Sequence, residues 1–147
     1  MYIFAEKEEQ LRFKKDLKEN EYIITGVGFP NIYLALKDLP RDTEIINIGF
    51  AGSNNIEVGK MCPIKEVRHF HPSLNFTTPS FTLKCDEKES FICYSADFFV
   101  TECDIKEPVV FDMELYSILL LGFTNVTAYK YISDNLSLDT YREERDR

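Results

Sequence analysis

The sequence predicts an α/β fold, a sheet covered by helices on its faces. Segments of strand character alternate with segments of helical character along the chain, and four strand candidates end in glycine, serine or aspartate. A length of 147 residues suffices for one sizeable core but not for two, so residues 1–147 are expected to form a single domain.

Taken in order, MYIFA reads as a short strand, and the charged EKEEQLRFKKDLKEN behind it has the propensity of a solvated helix. YIITGVG is a second strand running into a glycine turn. In FPNIYLALKDL the proline suits a first helical turn, where a missing N–H costs nothing. EIINIGFAG is a strand that again ends in glycines, and VGKMCPIKEVRHFH reads as a strand pair after a turn at Gly59. SFTLKC and SFICYSADFF are further strands, VVFDMELYSILLLGF a helix, and NVTAYKYISD the last strand. In such folds ligands sit beyond the carboxyl ends of the strands. Those ends carry Gly26 and Gly28, Gly49 and Gly52, Ser95 and Asp97, Ser133 and Asp134.

Composition narrows the function. Seventeen basic against twenty-five acidic residues give a net charge of −8, which disfavours phosphate backbones and anionic lipid. Nucleic acid and membranes are therefore not expected partners. No apolar run reaches the roughly 18–20 residues of a membrane span, and MYIFAEKEEQLRFKK lacks the order of a signal peptide, so a cytoplasmic location is expected. The four cysteines, Cys62, Cys85, Cys93 and Cys103, show neither metal-ligand nor disulfide-framework spacing. His69 and His71 share a strand face without a third ligand, so no metal and no cofactor is expected.

Each remaining signal has two readings. TGVG before a helix is a phosphate cradle or a tight turn. IGFAG is a site element or a turn, DMEL an acidic first helical turn or part of a site. Asp134 either does chemistry or caps the next segment of the chain, and Glu6, Glu8 and Glu9 either contribute a base or start a solvated helix.

The order of these blocks carries more than any one of them. FAEKEEQLR, TGVG, NIGFAGSNNIEVGK with EVRHFH, CYSADFFV, VVFDMELYSILLLGF and YKYISDNLS succeed one another in a sequence that resembles the nucleoside phosphorylase and nucleosidase superfamily. Within it the likeness is to the methylthioadenosine/S-adenosylhomocysteine nucleosidases, whose members show a similar acidic run, a G-x-GK turn, an N-x-G-S-A-G-G turn, an SGDAF strand end, an EMEAAA helix and a final R-x-ISD strand. It covers about half the chain. The resemblance implies a three-layer sandwich around a mixed twisted sheet, in reduced form, and a purine nucleosidase active in methionine salvage as a homodimer. Its partner would be a small purine nucleoside.

Cleaving an N-glycosidic bond builds positive charge on the ribose and negative charge on the departing purine, so an acid must protonate the base while another group handles water. By resemblance, Asp134 is the acid at purine N7, oriented by Ser133, and Glu9 is the base that positions water. Glu114 holds the ribose hydroxyls with Met113 beneath the sugar, Phe99 stacks on the purine, the backbone around Val100 reads its edge, and Ala51 and Gly52 belong to the substrate-binding turn. His69 and His71 become candidates for contacts to substrate or to a neighbouring subunit.

The chain also departs from the pattern. Phe50 stands where relatives carry a serine that can donate a hydrogen bond, and Lys130 where many carry arginine with its planar grip. Arg12, Arg41 and Arg68 are the only arginines before the C-terminal tail, which favours hydrolysis over phosphorolysis. The hairpin between the first strands is compressed, the segment from HPSLNF to SFTLKC is abbreviated, and the long final helix of relatives looks absent. A non-catalytic purine- or nucleoside-binding or assembly protein of the same fold is therefore the alternative reading, with a phosphorylase third.

Overall fold

The computed structural model describes residues 1–71 and 78–147. Its elements are β1 (Tyr2–Phe4), α1 (Lys7–Phe13), β2 (Tyr22–Ile24), α2 (Phe29–Leu36), β3 (Ile45–Ser53), β4 (Met61–His69), β5 (Phe81–Thr82), β6 (Phe91–Ser95), β7 (Val110–Asp112), α3 (Leu115–Leu120), β8 (Val126–Asp134) and α4 (Leu138–Arg145). The α/β expectation holds, with a mixed sheet.

The sandwich expectation needs revision, because the sheet closes on itself. β3 pairs antiparallel with β7, β7 runs parallel to β6 and β6 to β4, β4 pairs antiparallel with β8, and β8 returns parallel to β3. These five strands form a ring. β1 continues outward from β3 and β2 from β1, both in parallel, while β5 adds to β4. A ring leaves no open edge between β3 and β8, the two strands that bring most of the unusual residues together.

Nearly every position of β3 is buried, which explains why IINIGFAGS reads as a continuous apolar and small-residue run. β8 alternates buried and half-buried positions until Ile132, and then Ile132, Ser133 and Asp134 are buried in succession. The break has a cause in the pairing. Ala51 faces Ile132 but Gly52 faces Asp134, so Ser133 is the extra residue of a bulge.

One helical and one strand expectation shift. VVFDMEL is not the start of a helix: Val110–Asp112 is a strand, and only Leu115–Leu120 is helical. The run VGKMCPIKEVRHFH holds one strand, β4, rather than a pair. Beyond Asp134 the chain does form a closing helix, the eight-residue α4, with Ser137 Oγ accepting from the Thr140 N–H. Part of the abbreviated segment, residues 72–77, lies outside the described residues. The core gathers Ile3, Ile32, Ile45, Ile64, Leu115, Ile118 and Ile132 between the ring and the helices α2 and α3.

Candidate active site

Glycines in β3 make room for carboxylates. A Cβ placed on Gly49 would lie 2.5 Å from Glu9 Oε2 and 3.1 Å from Glu114 Oε1, and one on Gly52 would lie 2.9 Å from Asp134 Oδ2. The NIGFAG glycines are therefore strand residues against which three acidic side chains pack, not a turn. Glycine is needed for that approach.

Glu9 belongs to the first turn of α1, yet it is buried rather than solvated. Its Oε1 accepts from the N–H groups of Ala5 and Glu6, each at 2.9 Å, and its Oε2 from the N–H of Phe50 at 2.7 Å. Phe50 thus serves Glu9 through its backbone, which the loss of a serine hydroxyl does not affect. Its ring packs elsewhere, against Phe13, Tyr131 and Tyr141.

Behind these groups lies a buried charge cluster. Lys130 Nζ sits 2.9 Å from Asp112 Oδ2 and 2.7 Å from Glu114 Oε1. Burial opposes the Lys130 charge, but Asp112 and Glu114 outweigh it and the ammonium is held firmly protonated. Asp112 closes β7 by accepting from Ser95 Oγ and from the Leu115 N–H at 2.9 Å, which ties the strand to the start of α3. Three carboxylates share one ammonium, and the surplus falls on Glu9. Burial and the Glu114 charge, opposed by Lys130 and by the backbone N–H bonds, push Glu9 up to about 8.

Asp134 closes β8. Its Oδ1 accepts from Ser133 Oγ at 2.8 Å, and its Oδ2 from the Leu136 N–H at 2.9 Å, while the one Ser133 hydroxyl proton is shared with the Ala51 carbonyl, 3.2 Å away. Burial raises the Asp134 carboxyl above the ordinary range, against those two donors and the Ser137 N–H. Capping the next turn and facing the cavity are both true of this side chain.

These groups surround one cavity of about 340 Å3, a size suited to a small ligand. Comparison with known proteins gives this arrangement a context. No protein-family model matches the chain, and no curated protein does. Solved structures do. The MTAN of Chlamydia trachomatis superposes with a TM-score of 0.79 at 20% identity, over 98% of this chain and 87% of that one. A 5′-methylthioadenosine/S-adenosylhomocysteine (MTA/SAH) nucleosidase from Colwellia psychrerythraea, in complex with adenine, gives 0.78 at 17% identity, over 98% and 87%. That of S. pneumoniae, with a transition-state inhibitor, gives 0.74 at 16% identity, over 97% and 89%.

The chain has the fold of the MTA/SAH nucleosidases.

On this nucleosidase fold the cavity is lined by eight of the nine residues singled out in the sequence: Glu9, Ala51, Gly52, Phe99, Met113, Glu114, Ser133 and Asp134. Val100 is the exception. It is buried in a separate small cluster with Ala96, Val109 and Phe111. His69 stacks on Tyr116 at 5.0 Å and lines a neighbouring hollow that shares only Met113 with the first. Among the described residues no group of three or more His, Cys, Asp or Glu is placed to hold a metal ion, and no helix is long and apolar enough to cross a membrane.

Sequence reasoning missed the roof of this cavity. Leu138, Tyr141 and Arg145, all from α4, line it, and Glu6 joins them from the β1 exit. The Tyr141 hydroxyl donates to Glu6 Oε1, and its ring meets Phe99 at 5.6 Å. The signal was present in Ser137 as an N-cap and in the three-to-four-residue spacing of 138, 141 and 145. The surrounding charges of LDTYREERDR concealed it.

Proposed function

We propose that the chain is a purine nucleosidase that hydrolyses the N-glycosidic bond of methylthioadenosine, S-adenosylhomocysteine or a related nucleoside. The observation that carries the reading is the convergence of Asp134, Glu9 and Glu114 on one cavity that also holds Phe99 and Met113. In this reading the purine lies toward Asp134 and Phe99 and the ribose over Met113, with its hydroxyls at Glu114.

Two raised carboxyls set the chemistry. Asp134, whose carboxyl burial raises above its ordinary range, gives its proton to purine N7 as the C1′–N9 bond breaks. Purine departure is thereby neutralised. Water adds its oxygen to C1′ on the opposite face and gives up a proton to Glu9, whose pKa near neutrality suits a general base. The products are a free purine and a ribose carrying the 5′ substituent, and one proton passes from Glu9 back to Asp134 through solvent. Lys130 and Asp112 act behind Glu114, holding its carboxylate in place.

A binding protein without turnover is favoured by two specific observations. Both Glu9 oxygens already accept backbone N–H bonds, and Tyr141 lies against the Phe99 ring where a purine would stack. The two readings separate in one assay, adenine release from methylthioadenosine and S-adenosylhomocysteine with and without phosphate, beside Asp134→Asn. Phosphate-independent release that falls by about 100-fold or more in the variant supports the hydrolase. Adenine binding without release sinks it.

A homodimer belongs to the same proposal. Phe29, Tyr33 and Leu34 of α2 and Leu120 of α3 are large apolar side chains left exposed, which supports burial against a second copy. A monomer by sedimentation at micromolar concentration would remove this part of the proposal.

A further inference from the structure

We propose that Glu6 and Arg145 recognise an α-amino-acid group at the end of the 5′ tail, and so favour S-adenosylhomocysteine-type nucleosides over those ending in a neutral methylthio group. This rests on the nucleosidase reading above and specifies the substrate class of that site.

Helix α4 starts four residues after Asp134 and presents Leu138, Tyr141 and Arg145 to the cavity. Seven residues of helix advance about 10 Å. Arg145 therefore ends well away from the acid, over the opposite end of the cavity. Glu6 reaches that same end from the β1 exit, which flanks β3 on the side away from β8 and Asp134. With the purine at Asp134 and the ribose at Glu114, the 5′ substituent is the part of the substrate directed here.

The lining at this end has two chemistries. Val27 and Leu138, each 38% exposed, offer an apolar wall of the kind a thioether needs. Beyond them stand two opposite charges. Arg145 Nη1 lies 3.7 Å from Glu6 Oε2, longer than a direct hydrogen bond, and both side chains are only partly shielded. Tyr141 fixes the other Glu6 oxygen, and Asp146 takes Arg145 Nε at 2.9 Å. The second Glu6 oxygen stands beside the guanidinium terminus. An ammonium and a carboxylate on one α-carbon match that pair, the ammonium at Glu6 and the carboxylate at Arg145. A methylthio group reaches neither.

The test compares kcat/KM for adenine release from S-adenosylhomocysteine and from methylthioadenosine in the wild type, Glu6→Gln and Arg145→Gln. Glutamine at position 6 still accepts the Tyr141 hydroxyl, so the roof keeps its anchor. The wild type should prefer S-adenosylhomocysteine by about tenfold or more, the worth of one charge-assisted hydrogen bond, and each variant should bring the ratio to about threefold or less. Damage to the fold lowers both constants together and leaves the ratio where it was. A wild-type ratio of one or below, or a ratio unmoved in both variants, overturns the proposal. If neither nucleoside is cleaved, the hydrolase reading fails by itself, and calorimetry measures the same ratio as dissociation constants. Equal affinities, or no binding of either nucleoside, then overturn the tail assignment as well.

Discussion

Lys130 and Glu114 form an ion pair of 2.7 Å in which Lys130 is fully buried and Glu114 is exposed only where it meets the cavity, and Asp112 completes it at 2.9 Å. Three elements are tied by this one ammonium: β8 through Lys130, β7 through Asp112 and the start of α3 through Glu114.

Lys130→Met removes the only cation of the cluster while keeping the length of the side chain. Two carboxylates are then left buried without a counter-charge, a loss of about 3–5 kcal/mol. Urea unfolding should show this as a lowered midpoint at unchanged slope. A midpoint within error of the wild type would mean that the cluster is hydrated in solution.

Gly49→Ala tests the packing of acids against β3. The new methyl would stand 2.5 Å from Glu9 Oε2, so Glu9 must leave its three N–H donors or the strand must shift. We expect purine release to fall by about 100-fold or more while the protein still unfolds cooperatively. Activity within about threefold of the wild type would show that Glu9 does not need its observed place.

Glu9 gives stability a pH dependence of known sign. Its carboxyl is pushed from 4.5 up to about 8 in the folded chain, so the folded state holds the proton more tightly than the unfolded one. Stability from this group is fully present below about pH 4.5 and is lost as pH rises to about 8, at about 1.4 kcal/mol for each tenfold difference in proton affinity. Thermal midpoints measured from pH 5 to pH 8 should fall in the wild type more steeply than in Glu9→Gln. Parallel curves would refute the assignment.

Phe50→Ser introduces the residue type that the family resemblance implies at this place and removes a ring from the group with Phe13, Tyr131 and Tyr141. A large-to-small change at this buried position should cost about 3 kcal/mol. Because Tyr141 belongs to α4, trypsin should also cut at Arg142 faster in the variant. Unchanged cutting would show that the ring does not hold the helix.

The contrast between what could be read in the chain and what could not has a physical pattern. Strands β3 and β8 were legible because their burial is continuous or alternating over nine residues each. β7 was not, since three residues have no period of their own and their pairing partners lie in β6 and β3, far away in sequence. The acids Asp134, Glu9 and Glu114 were found through the order of motifs, whereas the role of Lys130 was underestimated. It looked like a weakened arginine and is instead the fully buried centre of a cluster. The closing of the sheet into a ring rests on β4 meeting β8, a contact between segments some seventy residues apart that no local signal announces.

The bulge at Ser133 sets the length tolerance of the chain. Side chains of a strand change face with every residue, so deleting one residue from β8 ahead of the bulge would carry Asp134 away from Gly52 and turn the acid out of the cavity. Insertions into the turns between strands carry no such penalty. Variation in chain length should therefore collect in the turns, while the spacing from Val126 to Asp134 admits none.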